Sequence, residues 1–262
     1  MIQKIKIFML IIILAGCVSI EDEPVSDYEK KIDYYSQIIS INPQNAKAYD
    51  ERGELYYQTG RYQDAINDFT EAIKLEPENA FMYYIKRGYI YEDLGQYQEA
   101  VDDVNRAIEL NPESAEAYSN RGATYYHWGK HSEAIDDFNR ALKLNPESAG
   151  AYSNRGTAYY HWGKHSEAID DFNRALKLNP NDAVFLTNRG TVYYDTGRYQ
   201  EALDDFNESL RIDPAYIRVY RKRGNTYQAM AEQTPSLREE YLRRANDDFN
   251  QAEFHETETN GK

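Results

Sequence analysis

Polar and apolar positions divide the chain into a short apolar start and a long amphipathic remainder. Ile7 to Leu14 is an unbroken apolar run, and Lys4 and Lys6 precede it. From Tyr28 onwards, small, aromatic and charged residues return in one order every 34 or 35 positions. A fixed period of this length predicts a solenoid in which each unit packs only on its neighbours.

Four residue types carry the repeat: glycine, alanine, phenylalanine and proline. Glycine recurs at Gly53, Gly88, Gly122, Gly156, Gly190 and Gly224. Alanine recurs at Ala65, Ala100, Ala134, Ala168 and Ala202, and an aromatic residue follows at Phe69, Phe138, Phe172 and Phe206, with Val104 in the second unit. Proline recurs at Pro43, Pro77, Pro112, Pro146, Pro180 and Pro214. Proline stops a helix, and the intervening glycines Gly60, Gly95, Gly129, Gly163 and Gly197 suit a left-handed turn, so each unit is a predicted helix–turn–helix.

These positions resemble the tetratricopeptide repeat (TPR), with Gly at position 8, Ala at 20, Phe at 24 and Pro at 32. Position 11 is tyrosine at Tyr56, Tyr91, Tyr125, Tyr159, Tyr193 and Tyr227. The family tryptophan at position 4 is replaced by Tyr49, Tyr84, Tyr118, Tyr152 and Tyr220, so much of the tyrosine content is expected in the core. The resemblance implies an all-α fold, an α-α superhelix of stacked antiparallel hairpins with a concave groove lined by the first helix of each repeat.

The repeat divides the chain into predicted segments. A lone second helix is expected to cap the array over 27–45, the array itself covers 46–255, and 256–262 is a tail. The repeats are 46–79, 81–114, 115–148, 149–182, 183–216 and 217–255. The last repeat carries a nine-residue insertion, in which Thr234 and Pro235 are expected to be the N-cap and first residue of its second helix.

The basic and apolar start is typical of an export signal, and its apolar run is short for a membrane span. Leu14-Ala15-Gly16-Cys17 resembles the bacterial lipobox. That resemblance implies a lipoprotein signal peptide over 1–16, removal of which leaves an acylated Cys17 as a lipid-bilayer anchor, and an acidic tether over 17–26. Val18 rather than Asp follows the cysteine, which by the same resemblance favours the outer membrane. The alternative is a structural cysteine at the end of an uncleaved anchor helix.

Composition and motifs exclude several functions. The formal net charge of −14 disfavours nucleic acid, and a single cysteine excludes an intrachain disulfide or a CxxC zinc site. His127/His131 and His161/His165 have metal-like spacing, but a turn glycine separates each pair, so ring packing is the expected role. No nucleophile motif, acid–base dyad or phosphate loop is present, and we expect no enzyme activity, no cofactor and no bound metal.

Two further positions recur with opposite charge. Position 7 is arginine at Arg52, Arg87, Arg121, Arg155, Arg189 and Arg223, and position 23 is aspartate at Asp68, Asp103, Asp137, Asp171, Asp205 and Asp248. Because positions 8 and 20 face each other in a hairpin, positions 7 and 23 are expected to form an ion pair, within each hairpin or between neighbours. An arginine stripe for an acidic ligand is the alternative.

Candidate ligand contacts lie at variable positions of the implied groove. Position 6 is asparagine in three consecutive repeats, at Asn120, Asn154 and Asn188, and position 12 is tyrosine in the same repeats, at Tyr126, Tyr160 and Tyr194. Asparagine can both donate to and accept from a peptide backbone, and tyrosine offers a flat apolar surface with a polar tip. The alternative is that asparagine is a tolerated residue on a solvated face.

The last repeat adds a basic end of the groove, formed by Arg218, Arg221 and Lys222. Such a cluster suits a carboxylate or an acidic segment. The full Lys/Asn carboxylate clamp of chaperone-binding TPR proteins is absent. We therefore expect a membrane-tethered scaffold that binds a peptide or helix of another envelope protein. A self-associating structural lipoprotein and a regulatory subunit of an envelope enzyme remain alternatives, and we expect no catalytic domain after the array.

Overall fold

The computed structural model describes residues 25–260, and this part of the chain is helical with short turns. The predicted signal peptide, Cys17 and most of the predicted tether lie outside the described residues. The α-helices are α1 Val25–Ile41, α2 Ala46–Gln58, α3 Tyr62–Leu75, α4 Phe81–Asp93, α5 Tyr97–Leu110, α6 Ala115–His127, α7 His131–Leu144, α8 Ala149–His161, α9 His165–Leu178, α10 Ala183–Asp195, α11 Tyr199–Ile212, α12 Ile217–Gln233 and α13 Arg238–Asn260. The all-α fold of packed helix pairs is confirmed.

The helices group into two compact units, one ending at Thr124 and the other beginning at Tyr125. In the N-terminal unit, α2 pairs with α3 and α4 with α5, while α1 packs on α2. In the C-terminal unit, α8 pairs with α9, α10 with α11 and α12 with α13, and each pair contacts the next. Within each unit the chain is therefore a stack of hairpins.

The turns end each helix as the glycine and proline positions predict. The five turn glycines have φ between 74 and 80°, the left-handed region that glycine adopts without strain. The second helix of a repeat ends two residues before its proline, as α9 ends at Leu178 before Pro180. The helix that follows Pro180, α10, is capped by a side chain: Asp182 accepts hydrogen bonds from the backbone N–H of Val184 and Phe185.

The position-8 glycines allow the two helices of a hairpin to approach closely. A Cβ added at Gly190 would lie 2.8 Å from Cε1 of Phe206, and one at Gly156 would lie 3.1 Å from Cε1 of Phe172. Phe172 and Phe206 are among the largest fully buried side chains. Glycine at 8 and phenylalanine at 24 thus form one complementary contact, and the predicted packing role of both positions is confirmed.

The last hairpin is longer than the others: α12 has 17 residues and α13 has 23. A 3₁₀ turn at Pro235–Leu237 precedes α13, with Thr234 at its N-cap and Pro235 as its first residue, as predicted, although the Thr234 side chain makes no capping hydrogen bond. Residues 256–260, which we assigned to a tail, continue α13 because its helical hydrogen bonding extends to Asn260.

Among the helices of residues 25–260, none combines the length and apolar character needed to cross a membrane.

Candidate functional site

The recurrent arginine and aspartate of the repeat form two-point ion pairs within five of the hairpins. In the α8/α9 hairpin, Nε and Nη2 of Arg155 donate to the two carboxylate oxygens of Asp171, each at 2.7 Å. The same geometry joins Arg52 to Asp68, Arg87 to Asp103, Arg189 to Asp205 and Arg223 to Asp248. The within-hairpin form of the predicted pair is confirmed for these five repeats, and the alternative of a free arginine stripe is wrong for them.

Each arginine also reaches the preceding repeat, which sequence reasoning missed. Nη1 of Arg189 donates to Oδ1 of Asn173 at 2.6 Å, and Asn173 occupies position 25 of the preceding repeat. Equivalent bonds join Arg121 to Asn105, Arg155 to Asn139 and Arg223 to Asn207, while Ser36 and Thr70 supply hydroxyl oxygens to Arg52 and Arg87. A recurrent oxygen-bearing residue at position 25 was the available signal.

The position-4 tyrosines lie against the same arginines. The guanidinium carbon of Arg155 is 5.6 Å from the ring centre of Tyr152, and that of Arg223 is 5.7 Å from the ring centre of Tyr220. This distance is within the range of a cation–π contact. Tyrosine at position 4 therefore serves the packing of the repeat, as expected, and does so by covering the ion pair.

The predicted groove asparagines, by contrast, have no partner. The side-chain amides of Asn154 and Asn188 make no hydrogen bond within residues 25–260, and Nδ2 of Asn120 is buried without one. Asn154 is exposed and Asn188 half-buried on the first helices of adjacent repeats, whereas Asn120 belongs to the N-terminal unit. Position 6 thus carries unused donors and acceptors beside Arg155 and Arg189, each of which makes three hydrogen bonds within the array.

The three predicted groove tyrosines differ in what they contact. The Tyr160 hydroxyl donates a short hydrogen bond to Oδ2 of Asp195 in the next repeat, so its polar tip is already used. Burial, followed by this hydrogen bond, raises the pKa of Tyr160 to about 12. The Tyr194 ring lies 5.7 Å from that of Tyr199, and its hydroxyl makes no hydrogen bond to another described residue.

Tyr126 lies among histidines. Its ring centre is 5.1 Å from His127, 6.0 Å from His131 and 5.5 Å from His161. Burial, with a smaller contribution from the charge of His131, lowers the pKa of His161. In the described part of the chain no group of three acidic, histidine or cysteine side chains could hold a metal ion, and these histidines pack against tyrosine rings.

Of the three cationic residues at the predicted basic end, one forms an ion pair within the chain. Arg221, which we placed in the basic end, forms an ion pair with Glu256 of α13, at 2.6 Å between Nη2 and Oε1. The cause is the long last hairpin, which brings Glu256 beside Arg221. Arg218 and Lys222 make no ion pair with any residue of the described chain.

A cavity of about 180 Å³ lies beside Lys222 in the C-terminal unit. It is lined by Tyr160, Thr191, Tyr194, Asp195, Phe206, Lys222 and Asn225. Three of the predicted ligand contacts, Tyr160, Tyr194 and Lys222, are thereby brought together. Thr191, Asp195 and Asn225 were not predicted, although they stand at groove positions 9 and 13 of their repeats.

The N-terminal unit has a different surface at the same repeat positions. Nζ of Lys86, at position 6, is 2.5 Å from Oδ1 of Asp50 and 3.0 Å from Oε1 of Glu54. The Tyr57 hydroxyl donates to Asp93 at 2.7 Å. At these positions, Lys86, Asp50 and Glu54 thus satisfy one another's charges.

The chain belongs to the tetratricopeptide repeat family. Models described as tetratricopeptide repeat match residues 24–88, 115–148, 149–182 and 172–204, and one described as TPR repeat matches 88–129 and 190–230. Together they span most of the array that the recurrent glycines and prolines predict.

Solved structures share the fold. A tetratricopeptide repeat protein from Parabacteroides merdae has a TM-score of 0.65 at 23% identity, over 88% of this chain and 93% of that one. MamA protein has a TM-score of 0.55 at 27% identity, over 64% of this chain and 92% of that one. YrrB, described as a TPR protein with an unusual peptide-binding site, has a TM-score of 0.53 at 20% identity, over 72% of this chain and 96% of that one.

Curated relatives match over a short segment. Human (Homo sapiens) serine/threonine-protein phosphatase 5 is 43% identical over 58 residues, which is 22% of this chain and 12% of the phosphatase. A Giardia intestinalis UDP-N-acetylglucosamine–peptide N-acetylglucosaminyltransferase is 41% identical over 59 residues, 22% of this chain and 4% of the transferase. The chain therefore spans a small part of these relatives.

Proposed function

We propose that this chain is a lipid-anchored scaffold that holds an extended segment of another envelope protein along the first helices of its C-terminal unit. The observation that carries the proposal is the contrast between adjacent repeat positions. The position-7 arginines Arg155 and Arg189 use their donors internally, whereas the position-6 amides of Asn154 and Asn188 use none.

The spacing of these amides suits an extended ligand. Asn154 and Asn188 occupy the same position of adjacent repeats, so a strand-like segment that follows the stack meets one amide in each repeat. Each amide supplies both a donor and an acceptor, which matches the two polar groups of a peptide unit. Apolar contact comes from the rings of Tyr160 and Tyr194, which line the adjoining cavity.

Anchoring is proposed from the sequence. The lysines, the apolar run and Leu14-Ala15-Gly16-Cys17 support removal of residues 1–16 and acylation of Cys17. Two or more acyl chains hold a protein at a bilayer far more stably than one. Val18 after the cysteine favours the outer membrane of a bacterial envelope, by resemblance to lipoproteins.

The binding proposal is tested with a photo-reactive residue placed in the full chain. One variant carries it at Thr191, in the cavity wall, and a second carries it at Asp170, an exposed position on α9. In intact envelopes, the residue at Thr191 is expected to crosslink one protein, through a single segment of that protein. The residue at Asp170 is expected to give no crosslink. Equal crosslinking from both positions would overturn the proposal, and crosslinking of a second copy of this chain would support the self-associating alternative instead.

The role of the asparagines is tested in the Thr191 variant. Changing Asn120, Asn154 and Asn188 to alanine is expected to lower the crosslinking yield by about tenfold, because the ligand backbone loses its amide partners. The matched control changes Asn181 and Asn246, two exposed asparagines outside the groove positions, and is expected to keep the yield. Loss of the yield in both would show a general effect on the fold.

The anchor is tested by the mass of the mature protein. A chain that begins at Cys17 and carries acyl chains is expected, and Cys17→Ala is expected to release the protein from membranes. An unmodified chain that begins at Met1 would contradict the anchor and leave the binding proposal standing.

A further inference from the structure

The N-terminal helix α1 is a second helix that lacks its first helix. Residues 28–43 align with residues 62–77 of the first repeat without a gap. Like α3 on α4, α1 packs on the first helix that follows it: Ile32 is buried there, and Nη1 of Arg52 donates to Oγ of Ser36. The side of α1 that faces the next repeat is therefore complete, but no helix of the described chain precedes α1 to form a hairpin with it.

The face of α1 that a first helix would cover is open. In the first repeat, the residues of α3 on this face are all buried: Ala65, Asp68, Phe69 and Ala72. At the same positions α1 has Lys31, Tyr34, Tyr35 and Ile38. Tyr34 is 60% exposed, and Ile41, at the end of the same face, is 84% exposed. We call the stripe of Lys31, Tyr34, Ile38 and Ile41 the open face.

The residues of the open face no longer match a first helix of this repeat. Tyr34 stands at position 23, where the aspartate of five hairpins pairs with an arginine. Lys31 replaces the alanine of position 20, whose small side chain lets two helices approach closely. A tyrosine ring needs apolar contact rather than a counter-charge. The open face therefore suits a helix that offers apolar side chains instead of an arginine.

The spacing of the open face is that of a contact between two helices along their length. Its four residues follow one another at intervals of three, four and three. Such intervals align side chains in one stripe on a helix and are typical of the seam between two packed helices. The stripe on α1 runs for about 15 Å along the helix axis. A second helix that carries the same stripe is therefore a suitable partner.

We propose that the open face of α1 binds α1 of a second copy of this chain. The two helices run antiparallel, as the helices of each hairpin do, and each takes the place of the other's missing first helix. In this pairing the ring of Tyr34 lies against Ile38 of the second copy, and the reciprocal contact is identical, as in a closed two-fold dimer. The stem of Lys31 covers the second copy's Ile41 while its ammonium group reaches water.

Charge favours a second copy at this helix over the chain's own preceding segment. Residues 21–24 are Glu-Asp-Glu-Pro, and three carboxylates and a proline do not match an apolar stripe. The net charge of −14 opposes contact between two copies over most of their surface. Helix α1, however, has three acidic and two basic residues, a net charge of −1. Two copies therefore meet with little repulsion at α1.

The proposed lipid anchor assists this pairing. One helix face buries less than the about 1,000 Å² that a stable interface needs, so free chains should pair weakly. With an anchor at Cys17, the eight residues 17–24 span at most about 28 Å, and α1 of every copy lies near the same bilayer. Confinement to one membrane raises the effective concentration of α1 for its partner. We therefore expect pairing on membranes, where both copies are held.

The contact is tested by a photo-reactive residue at Tyr34 of the full chain in its own membranes. The expected product has twice the mass of the chain, and its crosslink joins residue 34 of one copy to the segment around Ile38 of the other. The matched control carries the same residue at Ser40, an exposed position of α1 outside the open face, and is expected to give no dimer. A crosslink from Tyr34 to another protein or within one copy, equal dimer yields from both positions, or no dimer would overturn the proposal.

A second measurement uses energy transfer between donor- and acceptor-labelled copies of the purified mature chain in vesicles. Tyr34→Asp places an unpaired carboxylate in the seam and is expected to raise the dissociation constant of the dimer by about tenfold or more. Ser40→Asp adds the same charge outside the open face and is expected to keep it within about twofold. Equal weakening by both would show general charge repulsion and contradict the proposed contact.

Both substitutions are at exposed positions, so the single chain should keep its circular dichroism and its midpoint of urea unfolding. The pairing of α1 is independent of the proposed ligand groove, because that groove lies in the C-terminal unit. Loss of the dimer with retained crosslinking from Thr191 would therefore contradict the α1 contact alone. A dimer through α1 without a protein crosslinked from Thr191 would support the contact and contradict the scaffold.

Discussion

Arg155 and Asp171 form a two-point ion pair between the helices of one hairpin, with two hydrogen bonds of 2.7 Å. The Asp171 side chain is only 7% exposed and that of Arg155 19%. Because Nη1 of Arg155 also donates to Asn139, one guanidinium joins three helices. The repeat thus uses a charged residue, rather than an apolar one, to connect neighbouring hairpins.

Removing the guanidinium of Arg155 is expected to destabilise the folded chain. Arg155→Met leaves the carboxylate of Asp171 buried without a counter-charge, and we expect a loss of about 3 kcal/mol in the free energy of unfolding. Urea unfolding followed by circular dichroism measures it. The matched control Arg174→Met changes an exposed arginine of α9 that forms no ion pair with a described residue, and should stay within about 0.5 kcal/mol. A loss below about 1 kcal/mol in Arg155→Met would show that the pair contributes little.

The bond between repeats can be tested separately from the ion pair. Asn173→Ala removes the acceptor of Nη1 of Arg189 and is expected to cost about 1 kcal/mol. Asn250 stands at the same repeat position and has no partner among the described residues, so Asn250→Ala is the matched control and should be neutral. Both variants are compared by the midpoint of urea unfolding. Equal effects would mean that position 25 matters for the helix and not for the contact between repeats.

The position-8 glycines should differ in how far replacement by alanine destabilises the fold. In Gly190→Ala the new Cβ would lie 2.8 Å from Cε1 of Phe206 and 3.1 Å from Cβ of Asp205, and we expect a loss of about 1–3 kcal/mol. In Gly88→Ala the nearest atoms are 3.4 Å away, so alanine is expected to be neutral or to stabilise by about 0.5 kcal/mol through its helix propensity. Thermal unfolding of the two variants gives the comparison. The reverse order would contradict the packing role of Phe206.

Histidine protonation should weaken the C-terminal unit. The pKa of His161 in the folded chain is lowered from 6.5 by burial and by His131, so the folded state disfavours its charged form. Stability is therefore complete above pH 6.5 and falls as the pH drops below that value towards the folded-state pKa. His161→Gln is expected to lose less stability than the unaltered chain between about pH 7 and 5, measured by urea unfolding. Above about pH 8, where the imidazole is neutral in both the folded and the unfolded chain, the stability of the two proteins should depend on pH in the same way.

Much of the hairpin architecture follows from residue spacing alone. Glycine at 8 and phenylalanine at 24 predict a close contact because only a residue without Cβ fits against the ring, as Gly190 and Phe206 show. The columns of arginine and aspartate likewise predict a pair. Their spacing left open whether the pair forms within a hairpin or between neighbours, and the geometry of Arg155 and Asp171 selects the former.

The candidate site was less predictable. Tyr126, Tyr160 and Tyr194 look equivalent in sequence, yet only Tyr160 has its hydroxyl bonded to Asp195. Arg221 looks as free as Lys222, yet the long last hairpin brings Glu256 to Arg221 and leaves Lys222 without an anion. In each case the position in the repeat predicted which face of the helix the residue occupies, but not which residue it pairs with.

The sequence by itself determined the period, the turns between the helices and the contacts between paired helices, because these depend on turn residues and side-chain volumes at short, regular spacing. Only the tertiary structure decided which polar groups are satisfied. Lys86 and Lys222 share one position of the repeat, but their environments come from carboxylates on other helices, at distances that no local pattern encodes. The physical reason is that an ion pair depends on a few ångströms between side chains of different repeats, whereas a helix depends on its own residues.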